Sequence, residues 1–156
     1  MSALAALALT SCALVRDDSL EDVLKAFQLQ LPQCEVDGTK YSGSAVRSEE
    51  QLSLSFRAPR DCVDGYLRSH GEDPTKPSHW PYGKGTMDGV ELSPTRPPFS
   101  GDVAKDMGWR FDPGRTYDSY SFFETPNGAR FKVVVDPTGD KQTVYMTSIA
   151  SPQRRS

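Results

Sequence analysis

The chain has 156 residues, 37% of them hydrophobic and 10% aromatic, which suits one domain with a modest core. Its formal net charge is −3, with 18 basic and 21 acidic residues interspersed along the chain. That pattern excludes the basic stripe on which nucleic-acid or anionic-membrane binding depends.

Residues 1–15 carry no charge, and the short apolar run Ala3 to Leu9 leads through small residues into a cysteine, Leu9-Thr10-Ser11-Cys12. An apolar run of this kind is the h-region of a secretory signal peptide. It is far too short for a transmembrane helix, which needs about 20 apolar residues. The basic n-region is missing, Arg16 being the first basic residue, which implies a start upstream of Met1. The Leu-Thr-Ser-Cys stretch resembles the lipobox of bacterial lipoproteins. That resemblance implies a signal peptide over residues 1–11 and a diacylglyceryl group on the sulfur of Cys12. A tether over 12–18, a single domain over 19–150 and a disordered tail over 151–156 would follow. With Cys12 assigned to the lipid, Cys34 and Cys62 are left as a pair, and an oxidising compartment would bridge them. Such a bridge contributes about 3 to 4 kcal/mol by loop-closure entropy. The same residues also allow an apolar leader on a cytosolic protein, with Cys12, Cys34 and Cys62 as free thiols.

Ser19 to Phe27 is a predicted helix. Leu20, Val23, Leu24 and Phe27 share one face, and Ser19 with Asp22 makes a capping pattern at its start. Pro32 ends an extended exit that leads to Cys34. Thr39 to Val46 and Gln51 to Arg57 are predicted strands joined by the polar link Arg47 to Glu50. In the second, Leu52, Leu54 and Phe56 alternate with Ser53, Ser55 and Arg57, the pattern of a sheet with one wet face. Pro59 opens a second helix over Arg60 to His70, with Cys62, Val63, Tyr66 and Leu67 inward. Gly71 suits its C-terminal cap, and Arg68 and His70 suit the negative end of its dipole.

Residues 71–116 hold seven prolines and seven glycines and show no sustained period. The expectation is a long loop that is functional or mobile. Asp102 to Met107 could make one helical turn, and Gly108-Trp109-Arg110-Phe111 alternates as a strand would. Three strands follow, Tyr117 to Glu124, Ala129 to Asp136 and Lys141 to Ile149, separated by Thr125-Pro126-Asn127-Gly128 and Pro137-Thr138-Gly139-Asp140. The expected fold is α+β: an antiparallel sheet of about five strands, two helices on one face, and a long Pro/Gly-rich loop.

Chemistry-bearing motifs are sparse. His70 and His79 are the two histidines, and neither has a ligand at metal-binding spacing, so no metal is expected. Ser44 follows a glycine without a nucleophile elbow, and Gly83-Lys84-Gly85 with Gly89 lacks the P-loop ending. The carboxylate neighbours Asp17-Asp18, Glu49-Glu50 and Glu72-Asp73 are expected on solvated faces. No catalytic residue and no cofactor is assigned. A possible binding surface remains in Trp80, Tyr82, Trp109 and Arg110, residue types that dominate interface energetics. Rings docked back onto the core explain the same residues.

Taken whole, the Cys12 motif, the Cys34/Cys62 pair and the stretches Gly108-Trp109-Arg110-Phe111-Asp112 and Val135-Asp136-Pro137 resemble small lipoproteins of the actinobacterial type. The resemblance implies a lipid-anchored domain outside the cytoplasmic membrane, whose partner is the membrane together with an unknown envelope protein or small ligand. A non-enzymatic interaction or accessory protein is the first expectation. The second is a small-ligand binder with residues 71–116 as a cover loop, and the third is a hydrolase with an unrecognised site.

Overall fold

A computed structural model describes residues 18–46, 51–83, 85–87, 90–93 and 95–152. The signal peptide, Cys12, most of the tether, the Arg47 to Glu50 link, Lys84, Gly89 and residues 153–156 lie outside the described residues. Eleven elements follow in the order α1 (Leu20–Ala26), β1 (Asp37–Ser42), β2 (Ser53–Pro59), α2 (Arg60–Ser69), β3 (Ser78–Trp80), β4 (Gly85–Met87), β5 (Val90–Leu92), α3 (Gly101–Met107), β6 (Tyr117–Glu124), β7 (Arg130–Asp136) and β8 (Lys141–Ala150). The class is α+β, as expected. The sheet has six strands rather than five, in the order β1-β2-β8-β7-β6-β3, and β4 with β5 makes a separate two-stranded ribbon. Every pairing is antiparallel. Among the described residues three helices replace the expected two.

Local chemistry explains most boundaries. Ser19 caps α1 by accepting the Asp22 amide at 3.2 Å. Pro59 precedes α2 in an extended conformation, and Gly71 follows it at φ +91°. Ser100 caps α3, which Gly108 ends in the left-handed conformation. The β6–β7 and β7–β8 turns place Gly128 and Gly139 at positive φ.

Side chains alternate across the sheet, so its two faces have separate cores. On the first face, Leu52, Leu54, Phe56, Phe131, Val133, Val135, Val144 and Met146 meet Val23 and Phe27 of α1 and Val63, Tyr66 and Leu67 of α2. A bulge in β6 between Tyr120 and Phe123 puts both rings into this core and leaves Phe122 78% exposed. The buried Glu72 carboxylate accepts the Phe122 amide that the bulge frees.

The second face is not wet. Ser53 and Ser55 are buried, and Trp80, Phe99, Met107, Trp109, Tyr117 and Val134 form a second core there. The stretch 71–116 supplies most of it through β3, α3 and the chain around Trp109, so this stretch is structured rather than one long loop. Residues 108–111 join no strand; they follow α3 as irregular chain, held by side chains instead of a ladder. The expected arrangement with helices on one face therefore holds for α1 and α2, whereas α3 lies on the other.

Cys34 and Cys62 are joined by a disulfide that spans 28 positions of sequence and ties the α1 exit to α2. This covalent link is of the kind that oxidising compartments outside the cytoplasm sustain. No helix among the described residues is long and apolar enough to cross a membrane.

Candidate binding site

The four residues expected on a binding surface separate into two groups. Trp80 and Trp109 are 2% and 7% exposed, deep in the second core. The Trp80 indole N–H donates to the Arg96 carbonyl at 2.6 Å, and its ring meets the edges of Tyr117 and Phe111. The Trp109 indole N–H donates to Ser55 Oγ at 3.1 Å, and its ring packs on Phe99 and Tyr145. Both indoles satisfy their polar end inside the protein, so they act as pins that hold the segment to the sheet. Arg110 is exposed, and Tyr82 is half-buried at the edge of this core.

Tyr82 instead joins residues that sequence reasoning did not single out. A cleft of about 570 Å³ opens between Tyr82, Arg96, Phe99, Ser100 and Lys132, walled by Pro97 and Pro98. Lys132 stands on β7, in the middle of the six-stranded sheet and on the same face as Val134. Its Nζ donates to the Tyr82 hydroxyl at 2.7 Å and lies 5.3 Å and 5.9 Å from the ring centroids of Tyr82 and Phe99. Phe99 is fixed in turn by Trp109 and Phe111 at 5.1 and 5.7 Å. A rigid strand on one side and a packed aromatic on the other thus position the ammonium.

A second cleft, of about 520 Å³, lies where the α1 exit meets the end of α2, lined by Gln28, Gln30, Gln33, Tyr66, Ser69 and His70 beside Cys62. Among the described residues the fully buried Tyr66 hydroxyl has no hydrogen-bond partner, and burial pushes its ionisation up. The His70 ring stacks 4.1 Å from Phe123, with Nδ1 3.2 Å from the Glu124 carbonyl. Burial lowers the His70 pKa, and the contact with that carbonyl opposes the shift in part. His70 therefore packs on Phe123 and points Nδ1–H at the Glu124 carbonyl, and its burial works against the charge that would match the α2 dipole. The other histidine, His79, is exposed on β3 with Nδ1 3.1 Å from Asp118 Oδ1. Among the described residues no group of three or more metal-ligating side chains converges. Ser44 is tied to Asp18 through Oδ2 at 2.9 Å.

Comparison with known proteins finds no matching family model, no matching curated protein and no matching solved structure.

Proposed function

We propose that the chain is a non-enzymatic accessory domain of the cell envelope, lipid-anchored through Cys12 at the outer face of the cytoplasmic membrane, that works by binding a ligand. The Cys34–Cys62 bridge carries the reading, because thiols kept in a reducing cytosol stay free. It accounts for two of the three cysteines and leaves Cys12, at the end of the apolar run, for the lipid. The ligand-binding part, with residues 71–116 as the cover, is supported by the cleft between Arg96, Phe99 and Lys132, which is edged by that segment. Burial of Trp80 and Trp109 favours this reading over a partner protein docked on those two rings.

The test is the intact mass of the protein isolated from membranes of its native host, with and without reductant. The expected species begins at Cys12, carries acyl mass and gains two hydrogens on reduction. A chain that retains residues 1–11, without acyl mass and with three free thiols, would refute both the anchor and the compartment.

A further inference from the structure

The geometry points to a specific ligand chemistry for the cleft at Lys132: a small organic oxyanion, a carboxylate or phosphate monoester carried on a flat or apolar body. This inference rests on the reading of the protein as a binding domain and names the chemical class that the domain would take.

Acidic residues outnumber basic ones in this chain, 21 to 18, yet among the described residues no Asp or Glu lines this cleft, whereas Arg96 and Lys132 both do. Among the described residues, the Lys132 ammonium has only the neutral Tyr82 hydroxyl as acceptor. An ammonium carries three donors, so two remain to be satisfied. Because the Tyr82 oxygen accepts from Lys132, its own proton is also free to donate. The Ser100 oxygen accepts from the Val103 amide, which frees its proton in the same way. The cleft therefore holds unused donors on Lys132, Tyr82 and Ser100 and has Arg96 in its lining as a second cation. A partly enclosed positive site without a counter-charge favours an anion, and its walls keep the field from being dispersed by water.

Structural duty alone does not account for Lys132. A cation over aromatic rings contributes about 0.5–1 kcal/mol at exposed sites, and an apolar residue in the middle of this face would bury more area against Phe99. The rings have a second use. Phe99 and Tyr82, with Pro97 and Pro98, give the donors an apolar wall. A bare inorganic anion would leave that wall wet, while a ring or short apolar body attached to the oxyanion would cover it. One lysine and one arginine suit a single oxyanion better than a polyanionic chain, which needs a longer track of cations.

The test is a titration of the full chain followed by amide NMR shifts and calorimetry. The probes are phenyl phosphate, phenylacetate, inorganic phosphate and neutral benzamide. Saturable shifts at Tyr82, Phe99 and Ser100 are expected with phenyl phosphate, phenylacetate or both, and their relative affinities identify the oxyanion. Benzamide and inorganic phosphate should each bind at least tenfold more weakly. Lys132→Met keeps the apolar stem and should lose at least tenfold in affinity. Arg96→Gln alters an exposed side chain and should lose severalfold without unfolding the protein. Benzamide binding as tightly as the anions would overturn the oxyanion and leave ligand binding standing. Inorganic phosphate equal to phenyl phosphate would overturn the apolar body. Unchanged affinity in Arg96→Gln, or no saturable shift with any probe, would overturn the site itself. Neither result would alter the mass of the anchored species.

Discussion

Trp109 offers the sharpest check on the division between core and binding surface. The side chain is 7% exposed, touches Phe99 and Tyr145, and donates to Ser55 Oγ. A buried Trp removes about 200 Å² of surface from water, which at about 25 cal/mol per Å² corresponds to about 5 kcal/mol. Alanine retains a small part of that area, while the buried Ser55 hydroxyl loses its indole partner at a cost of about 1 kcal/mol. Trp109→Ala should therefore destabilise by about 5 kcal/mol, at the upper end of the usual range for Trp→Ala in a core. Trp109→Phe keeps most of the ring and should lose about 2 kcal/mol, mainly the hydrogen bond and part of the area. Since a domain of this size has about 5–15 kcal/mol in total, the phenylalanine variant serves if the alanine variant is too unstable to purify. Urea unfolding followed by far-UV circular dichroism measures both, free of the fluorescence change that removing a Trp causes. A loss below about 1 kcal/mol in Trp109→Ala would show that the ring is no pin of the fold and return it to the list of contact residues.

Two further outcomes follow from the α2 end. Tyr66→Phe removes a buried hydroxyl that has no partner, so unfolding free energy should stay level or rise by about 1 kcal/mol; a fall of more than about 1 kcal/mol would show that this hydroxyl has an acceptor in solution. His70 has a folded-state pKa below its ordinary 6.5, so the unfolded chain binds the proton first and stability rises with pH in that window. Its contribution is complete above 6.5 and is lost as pH falls through the lower folded value. His70→Gln should flatten the stability profile between pH 7.5 and 5, and a variant profile parallel to the native one would refute the lowered pKa of this half-buried ring.

The C-terminal meander was legible because β7 and β8 alternate over seven and ten residues between turns marked by glycine. The helices α1 and α2 were legible from apolar spacing and their flanking Ser19, Pro59 and Gly71. The segment 71–116 was not. Strands of three residues, such as β3, β4 and β5, contain too little sequence to show a period of two. The seven residues of α3 make barely two turns, and their packing rests on Met107, Val103 and Ala104 rather than on a full apolar stripe. Lys132 was hidden for a different reason. A lysine that alternates with Phe131 and Val133 looks like the outward residue of a half-wet sheet. The contrary signal was Val134, which places an apolar side chain only two residues further along that same face, and the structure buries it completely. The cleft residues Arg96 and Phe99 had no pattern of their own; they come beside Lys132 where Trp80 and Trp109 hold the segment against the sheet.

The two cores should also differ in how they open. The first is built on helix and sheet contacts spread over many residues, whereas the second relies on a few rings and on the Trp80 and Trp109 hydrogen bonds to hold chain with little ladder of its own. Segments with fewer backbone bonds open at lower free energy than central strands. Arg96 belongs to both the cleft and this packing, because it lines the cleft and its carbonyl receives the Trp80 indole. A ligand held at Lys132 and Arg96 binds the closed segment and not the open one, so it stabilises closure by mass action, about 2.7 kcal/mol at a hundred times its dissociation constant. Amide hydrogen exchange over residues 95–111 should therefore slow by about a hundredfold at saturating phenyl phosphate, while exchange in β2 and β8 changes far less. Equal slowing of both regions would mean that the segment opens only with the whole domain, and that the cleft's cover is as rigid as the sheet beneath it.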